Sequence, residues 1–192
     1  MAGDYQTTKR MADKRKAIPL PDLQGKLVLD VGCDHGYWCK LASDMGAARV
    51  VGLDRGRAVR GEGFKDLVGW CNAQGWKNCQ FFQVDLGKAW PYFGVHDVVF
   101  AFSIYHHLFQ AADGDHDRIW RWFRLHTGEV LLWEGPLSTK DPIARDRARG
   151  HHNYTPEAIM TAAAQYFTVQ VVGPAIHRPH REVLRCVPRS RE

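Results

Sequence analysis

Short apolar runs alternate along this chain with longer stretches whose apolar residues recur every three or four positions. Leu27-Val28-Leu29-Asp30-Val31 is an apolar run closing on glycine, the pattern of a buried strand. Runs of the same kind stand at 49–53, 80–84 and 97–102, then at 129–133, 168–172 and 181–187. Helical spacing fills 36–46, stopping at Met45-Gly46, and 114–126. Residues 57–74 also read as a helix, weakened by Gly61, Gly63 and Gly69. Thr155-Pro156 predicts a helix start, with Thr155 as N-cap and Pro156 at the first helical position, running to about Tyr166.

Strands alternating with helices predict an open sheet with helices on both faces. Only Gly173–His180 separates the last two strands, too little for a crossover helix, so they pair antiparallel. The expected architecture is α/β: a single Rossmann-like, doubly wound domain with a seven-stranded, mostly parallel sheet and one antiparallel strand near the edge. This domain spans 24–192, and residues 1–23 form a basic N-terminal arm or helix.

The 192 residues are 45% hydrophobic and 24% charged, which excludes a disordered, collagen-like or coiled-coil chain. No charge-free stretch reaches the ~18 residues of a membrane-spanning helix. The first residues, MAGDYQTTKRMADKRK, lack the apolar core of a secretory signal, so a soluble, cytoplasmic protein is expected. The five cysteines, Cys33, Cys39, Cys71, Cys79 and Cys186, form no CxxC pair and read as free thiols rather than zinc ligands. The net charge of +5 is concentrated at the two ends: residues 1–26 and 140–192 are basic, and the middle is slightly acidic. That distribution favours an anionic partner, or it is solvated surface.

In an open α/β sheet, ligands bind beyond the carboxyl ends of the strands. After the first strand stands Asp30-Val31-Gly32-Cys33-Asp34-His35-Gly36, whose glycines admit a ligand close to the backbone at a helix N-terminus. Asp54, with Arg55 beside it, ends the second strand and suits the two hydroxyls of a ribose. Asp85 and Leu86 follow the third, a carboxylate for an adenine amino group and an apolar neighbour for the ring. Phe102 closes the fourth strand and completes the candidate cofactor set. The turn is D-x-G-x-x-x-G rather than G-x-G-x-x-G. Its carboxylate opposes a pyrophosphate and suits an ammonium or sulfonium, which points to S-adenosylmethionine.

On VLDVGCDHG (28–36), VVGLD (50–54), FFQVDLG (81–87), DVVFAFSIYHHL (97–108) and EVLLWEG (129–135), the chain resembles the class I S-adenosylmethionine-dependent methyltransferases. In motif style it is most similar to the tRNA wobble-uridine modifying transferases and related small methyltransferases. The resemblance implies that Asp30, Gly32 and Gly36 hold the methionine portion, Asp54 the ribose and Asp85 the adenine. Cys33 and Asp34 lie in the same turn. Asp34-His35 departs from the usual pattern, which more often has glycine there.

The acceptor site is expected beyond strands four and five, near Phe102, Ser103, Tyr105, His106, His107 and Glu134. Methyl transfer needs in-line alignment and, for some acceptors, a base. His106 and His107 are the candidate catalytic residues. The competing reading makes them the start of a helix, one ring packed and one exposed, with Ser103 as its cap. His151 and His152 could join them around a metal, but adjacent histidines seldom face one ion, and no metal is expected. Trp120, Trp122 and Phe123 read as packing residues. Lys9 and Arg10, with Arg145, Arg147 and Arg149, are expected on the cofactor side of the sheet. The acceptor is then a small molecule, anionic if those charges face it, with a tRNA as the alternative; a cofactor-binding subunit without catalysis is a third reading.

Overall fold

The computed structural model describes residues 15–16, 18–55, 76–136, 151–175 and 178–190. The expected helix at 57–74, Cys71, Lys9, Arg10 and the linker arginines Arg145, Arg147 and Arg149 lie outside the described residues.

Seven strands form one sheet: β1 (Leu27–Val31), β2 (Arg49–Asp54), β3 (Cys79–Gln83), β4 (His96–Phe102), β5 (Thr127–Pro136), β6 (Phe167–Ala175) and β7 (Arg178–Pro188). Their order is β3-β2-β1-β4-β5-β7-β6. The β3, β2, β1, β4 and β5 pairings are parallel, in registers such as Val31↔Leu53 and Phe102↔Glu134. Only β7 is reversed, antiparallel to both β5 and β6, as the short Gly173–His180 connection predicts.

Four helices are described: α1 (Tyr37–Asp44), α2 (Tyr105–Ala111), α3 (His116–His126) and α4 (Pro156–Tyr166). Asp115 caps α3 by accepting from the Arg118 N–H at 2.9 Å. Thr155 caps α4 by accepting from the Ala158 N–H at 3.2 Å, ahead of Pro156. No loop separates α3 from β5. The Thr127 hydroxyl donates to the Phe123 carbonyl at 2.8 Å, satisfies an orphan acceptor of the helix end, and lets the strand begin at once.

The sheet separates two cores. On one face, α2, α3 and α4 bury Tyr105, Phe109, Trp120, Phe123 and Phe167 against Val99, Leu131 and Trp133. On the other, α1 lays Trp38, Cys39 and Leu41 on Val28, Val98 and Phe100. Ile18 and Leu23 also enter this second core. Each such side chain contributes roughly 1.5–3 kcal/mol when removed from water. Central strands covered on both faces explain why they read as unbroken apolar runs. Trp120, Trp122 and Phe123 are buried packing residues, as expected.

Candidate functional site

The strand order reverses between β1 and β4, and the loops leaving their carboxyl ends face each other across that switch point. The first loop turns at Gly32 with φ +77°, and the Gly32 and Cys33 amides both donate to the Leu53 carbonyl, at 2.8 and 3.0 Å. A β-carbon on Gly32 would stand 2.8 Å from Ile104 Cδ1, so the β4 loop closes directly over this glycine. Gly36, at φ +73°, is the N-cap of α1 and offers no side-chain acceptor to its first amides.

Asp34 departs from glycine yet keeps a glycine-like conformation, φ +47°. Aspartate tolerates this region better than most residues. Its N–H donates to Asp54 Oδ2 at 3.2 Å, linking the β1 turn to the end of β2. Burial raises the Asp34 carboxyl above its usual value; His35 pulls it down and the Asp54 carboxylate pushes it further up. The Asp54 carbonyl accepts from the Val84 N–H at 2.7 Å and the Arg55 carbonyl from Gln83 Nε2 at 3.1 Å, so the β2 and β3 ends are tied together. Asp85 folds back on Gly87, its Oδ1 accepting that amide at 3.0 Å, while half-buried Leu86 packs on the α3-side core. The carboxylates of Asp34, Asp54 and Asp85 thus stand at successive strand ends along one edge of the sheet.

Three other candidates are interior. Asp30 is buried, and its Oδ2 accepts from the Cys39 thiol at 3.2 Å. Burial pushes the Cys39 thiol well up; Cys33 is raised too, its hydrogen bond with Cys39 opposing the effect of burial. Phe102 packs in the α1-side core with its ring 4.6 Å from Trp38 and 5.5 Å from Phe100. Cys33 and Phe102 therefore shape the floor of the loops from inside the core.

Beyond β4, Ser103 adopts φ +60°. Its N–H donates to the Glu134 carbonyl at 3.2 Å and its hydroxyl to Glu134 Oε1 at 2.9 Å. Ser103 does not cap the following helix: Ile104 is the N-cap of α2, and it makes no side-chain cap bond. Glu134 and Arg181 form a fully buried pair, Nη1 to Oε1 at 3.9 Å, that fixes the far side of this turn. Arg181 was not a candidate; the available signal was a charged residue inside an apolar run destined for a buried strand.

His106 is buried and His107 half-buried, their ring centroids 4.2 Å apart at the start of α2. Tyr105 points the other way, into the core, and its hydroxyl bonds His116 Nδ1 at 2.7 Å. His116 Nε2 faces the Asn153 carbonyl at 2.9 Å and must be the donor there, so Nδ1 accepts from Tyr105. His151 goes to Asp113 at 3.7 Å and Glu134 to Ser103 and Arg181, so these residues are engaged in separate clusters.

A family model described as a methyltransferase domain matches residues 3–112, and the chain belongs to that family. Its fold is that of S-adenosylmethionine-dependent methyltransferases. A solved example from Mesorhizobium loti superposes with a TM-score of 0.64 at 15% identity, covering 94% of this chain and 98% of that one. The DhpI–SAM–HEP complex superposes with a TM-score of 0.63 at 17% identity, covering 96% of this chain and 90% of that one. A tRNA U34 carboxymethyltransferase from Marinobacter nauticus is 42% identical over 57 residues. That match takes in 28% of this chain and 17% of the relative's length.

Proposed function

We propose that this chain is an enzyme that transfers the methyl group of S-adenosylmethionine to a small-molecule acceptor. The observation that carries the reading is the close approach of the β1 and β4 loops at the switch point, where Gly32 packs under Ile104 beside the hydrogen-bonded Asp34–Asp54 pair. Two neighbouring carboxylates, one with its charge already disfavoured, suit a cationic ligand and repel a pyrophosphate. Asp54 accepts the ribose hydroxyls, with Arg55 beside it; Asp85 and Leu86 hold the adenine. Gly32, Asp34 and Gly36 line the methionine portion, with Asp30, Cys33 and Phe102 supporting the turn from below.

When bound, S-adenosylmethionine supplies a methyl group made electrophilic by its sulfonium. The chain's own task is alignment and proton removal. The Ser103–Glu134–Arg181 arrangement fixes the start of α2 and so sets where His106 and His107 stand. His107, the more exposed of the two, takes the acceptor proton on an imidazole nitrogen, and His106 packs behind it.

The test is calorimetry with S-adenosylmethionine and NAD, followed by a methyl-transfer screen with labelled cofactor against small-molecule pools and unmodified tRNA. Tighter binding of NAD overturns the cofactor. Transfer to tRNA alone selects the second reading, an RNA methyltransferase, which the short match to a tRNA U34 carboxymethyltransferase favours.

A further inference from the structure

The reversed strand β7 carries the chain away from the site edge. Arg181 pairs with Pro136 beside the site, and by Pro188 the strand pairs with Phe167 at the start of β6. The eight steps from Arg181 to Arg189 span about 26 Å of extended chain. There, at the opposite edge of the sheet, lies a cavity of about 280 Å³ between the last turns of α3 and α4 and the chain leaving β7. Arg121 and Arg124 of α3, Gln165 and Tyr166 of α4, and Arg189 and Ser190 line it.

We propose that this cavity binds a phosphate group. Three arginines from two separate segments line one small space, with Leu125 beside them. The nearby charges of opposite sign are weaker. The ends of α3 and α4 each contribute about half a negative charge. Among the described residues, Asp117 accepts from the Tyr166 hydroxyl at 2.5 Å, and Asp115 also bears on that phenol. Burial and that hydrogen bond push the Tyr166 phenol up to about 12, so it keeps its proton and adds no negative charge. Arg121 and Arg124 stand three residues apart and therefore on one face of the helix.

The frame is also held in place before any ligand arrives. Arg124 Nη2 donates to the Arg189 carbonyl at 3.0 Å, and the Arg189 N–H donates to the Tyr166 carbonyl at 3.0 Å. Arg124 thus locks the β7 exit onto α3, and Arg121 and Arg189 supply planar donor forks that match phosphate oxygens. The Ser190 hydroxyl and the Gln165 amide offer neutral donors. Neutralising helix ends accounts for Arg124 but for neither of the other two arginines. The inference does not depend on methyl transfer, because the site lies at the far edge of the sheet.

The experiment is an amide NMR titration of the full chain with inorganic phosphate at low salt, with sodium chloride of matched ionic strength as control. Arg121→Ala/Arg189→Ala alters two exposed side chains, and Arg121→Lys/Arg189→Lys keeps the charge but removes the forks. The expected result is a saturable shift confined to amides around 121–125, 165–166 and 189–190, weakened roughly tenfold in the alanine variant and less in the lysine variant. A short single-stranded RNA that displaces phosphate identifies a phosphodiester as the source. Failure to displace it identifies a small phosphorylated molecule. No localised shift, or the same affinity in both variants as in the parent, overturns the proposal.

Discussion

Gly32→Ala tests the contact that closes the site. The substitution meets two costs. At φ +77° an alanine is in left-handed backbone, which costs about 1–2 kcal/mol. Its β-carbon also lands 2.8 Å from Ile104 Cδ1, 3.0 Å from Cγ1 and 3.2 Å from Cβ. The tip of isoleucine can swing, but its Cβ is fixed to the N-cap residue of α2, so the helix start must move as well. Overpacking of this kind costs about 1–3 kcal/mol. Urea unfolding of the single variant should therefore show a loss of about 2–5 kcal/mol. Ile104→Ala removes the two nearest atoms and leaves only the Cβ at 3.2 Å, so Gly32→Ala in that background should cost the backbone share and a small remainder of the overpacking. The coupling energy of the four-variant cycle is then about 1–3 kcal/mol. Calorimetry on the same proteins should show weaker S-adenosylmethionine binding in Gly32→Ala, because the displaced loops border the proposed cofactor site. A coupling within about 0.5 kcal/mol of zero would refute the reasoning, since additive costs mean that the two loops do not press on each other.

Asp54→Ala should weaken S-adenosylmethionine binding by about 1–3 kcal/mol in calorimetry; unchanged affinity in a folded variant means the ribose is held elsewhere. Glu134→Gln removes the charge facing buried Arg181 and should cost about 3–5 kcal/mol in urea unfolding, whereas a loss under about 1 kcal/mol shows that the pair does not hold the turn. Burial lowers His96, His116 and His126 below their ordinary 6.5, so their contribution to stability is complete above that value and is lost as pH falls through the folded pKa values. Unfolding free energy should drop between pH 7.5 and 5.5, by up to about 1.4 kcal/mol per pH unit for each histidine, and a flat profile contradicts the assignment of these rings as neutral in the fold.

The strand cores were legible because both faces of the sheet are covered, which forces continuous apolar runs such as Leu27–Val31 and Asp97–Phe102. The reversed β7 followed from chain length alone, and the α4 start from Thr155-Pro156. Periodicity does not register α2, whose seven residues carry Tyr105, His106 and His107 where a longer helix would show a stripe. Nor does it distinguish the fates of neighbours: Tyr105 turns to His116 in the core, and Ser103 turns to Glu134 instead of capping the helix. Arg181 is paired across 47 residues with Glu134, a contact that only the strand order creates. Among the cofactor candidates, spacing identified the strand ends but not their depth. It could not separate Asp54 at the edge from Asp30, Cys33 and Phe102 beneath it.

Asp34 shows why a motif written in residue types misses what the fold requires. The turn after β1 needs a left-handed residue between Gly32 and Gly36, and glycine supplies it with no steric cost. Aspartate holds the same conformation at a cost of about 1–2 kcal/mol, so the dihedral is kept while the letter changes. In exchange, the turn gains a carboxylate beside Asp54. The two repel: proximity to Asp54 helps push Asp34 up, so the chain is destabilised here whenever both are ionised. A ligand carrying positive charge between them removes that penalty, and an anionic one enlarges it. On the function proposed above, the departure from the glycine pattern would strengthen the selectivity for a cationic cofactor, because Asp30 is buried with Oδ2 accepting from the Cys39 thiol.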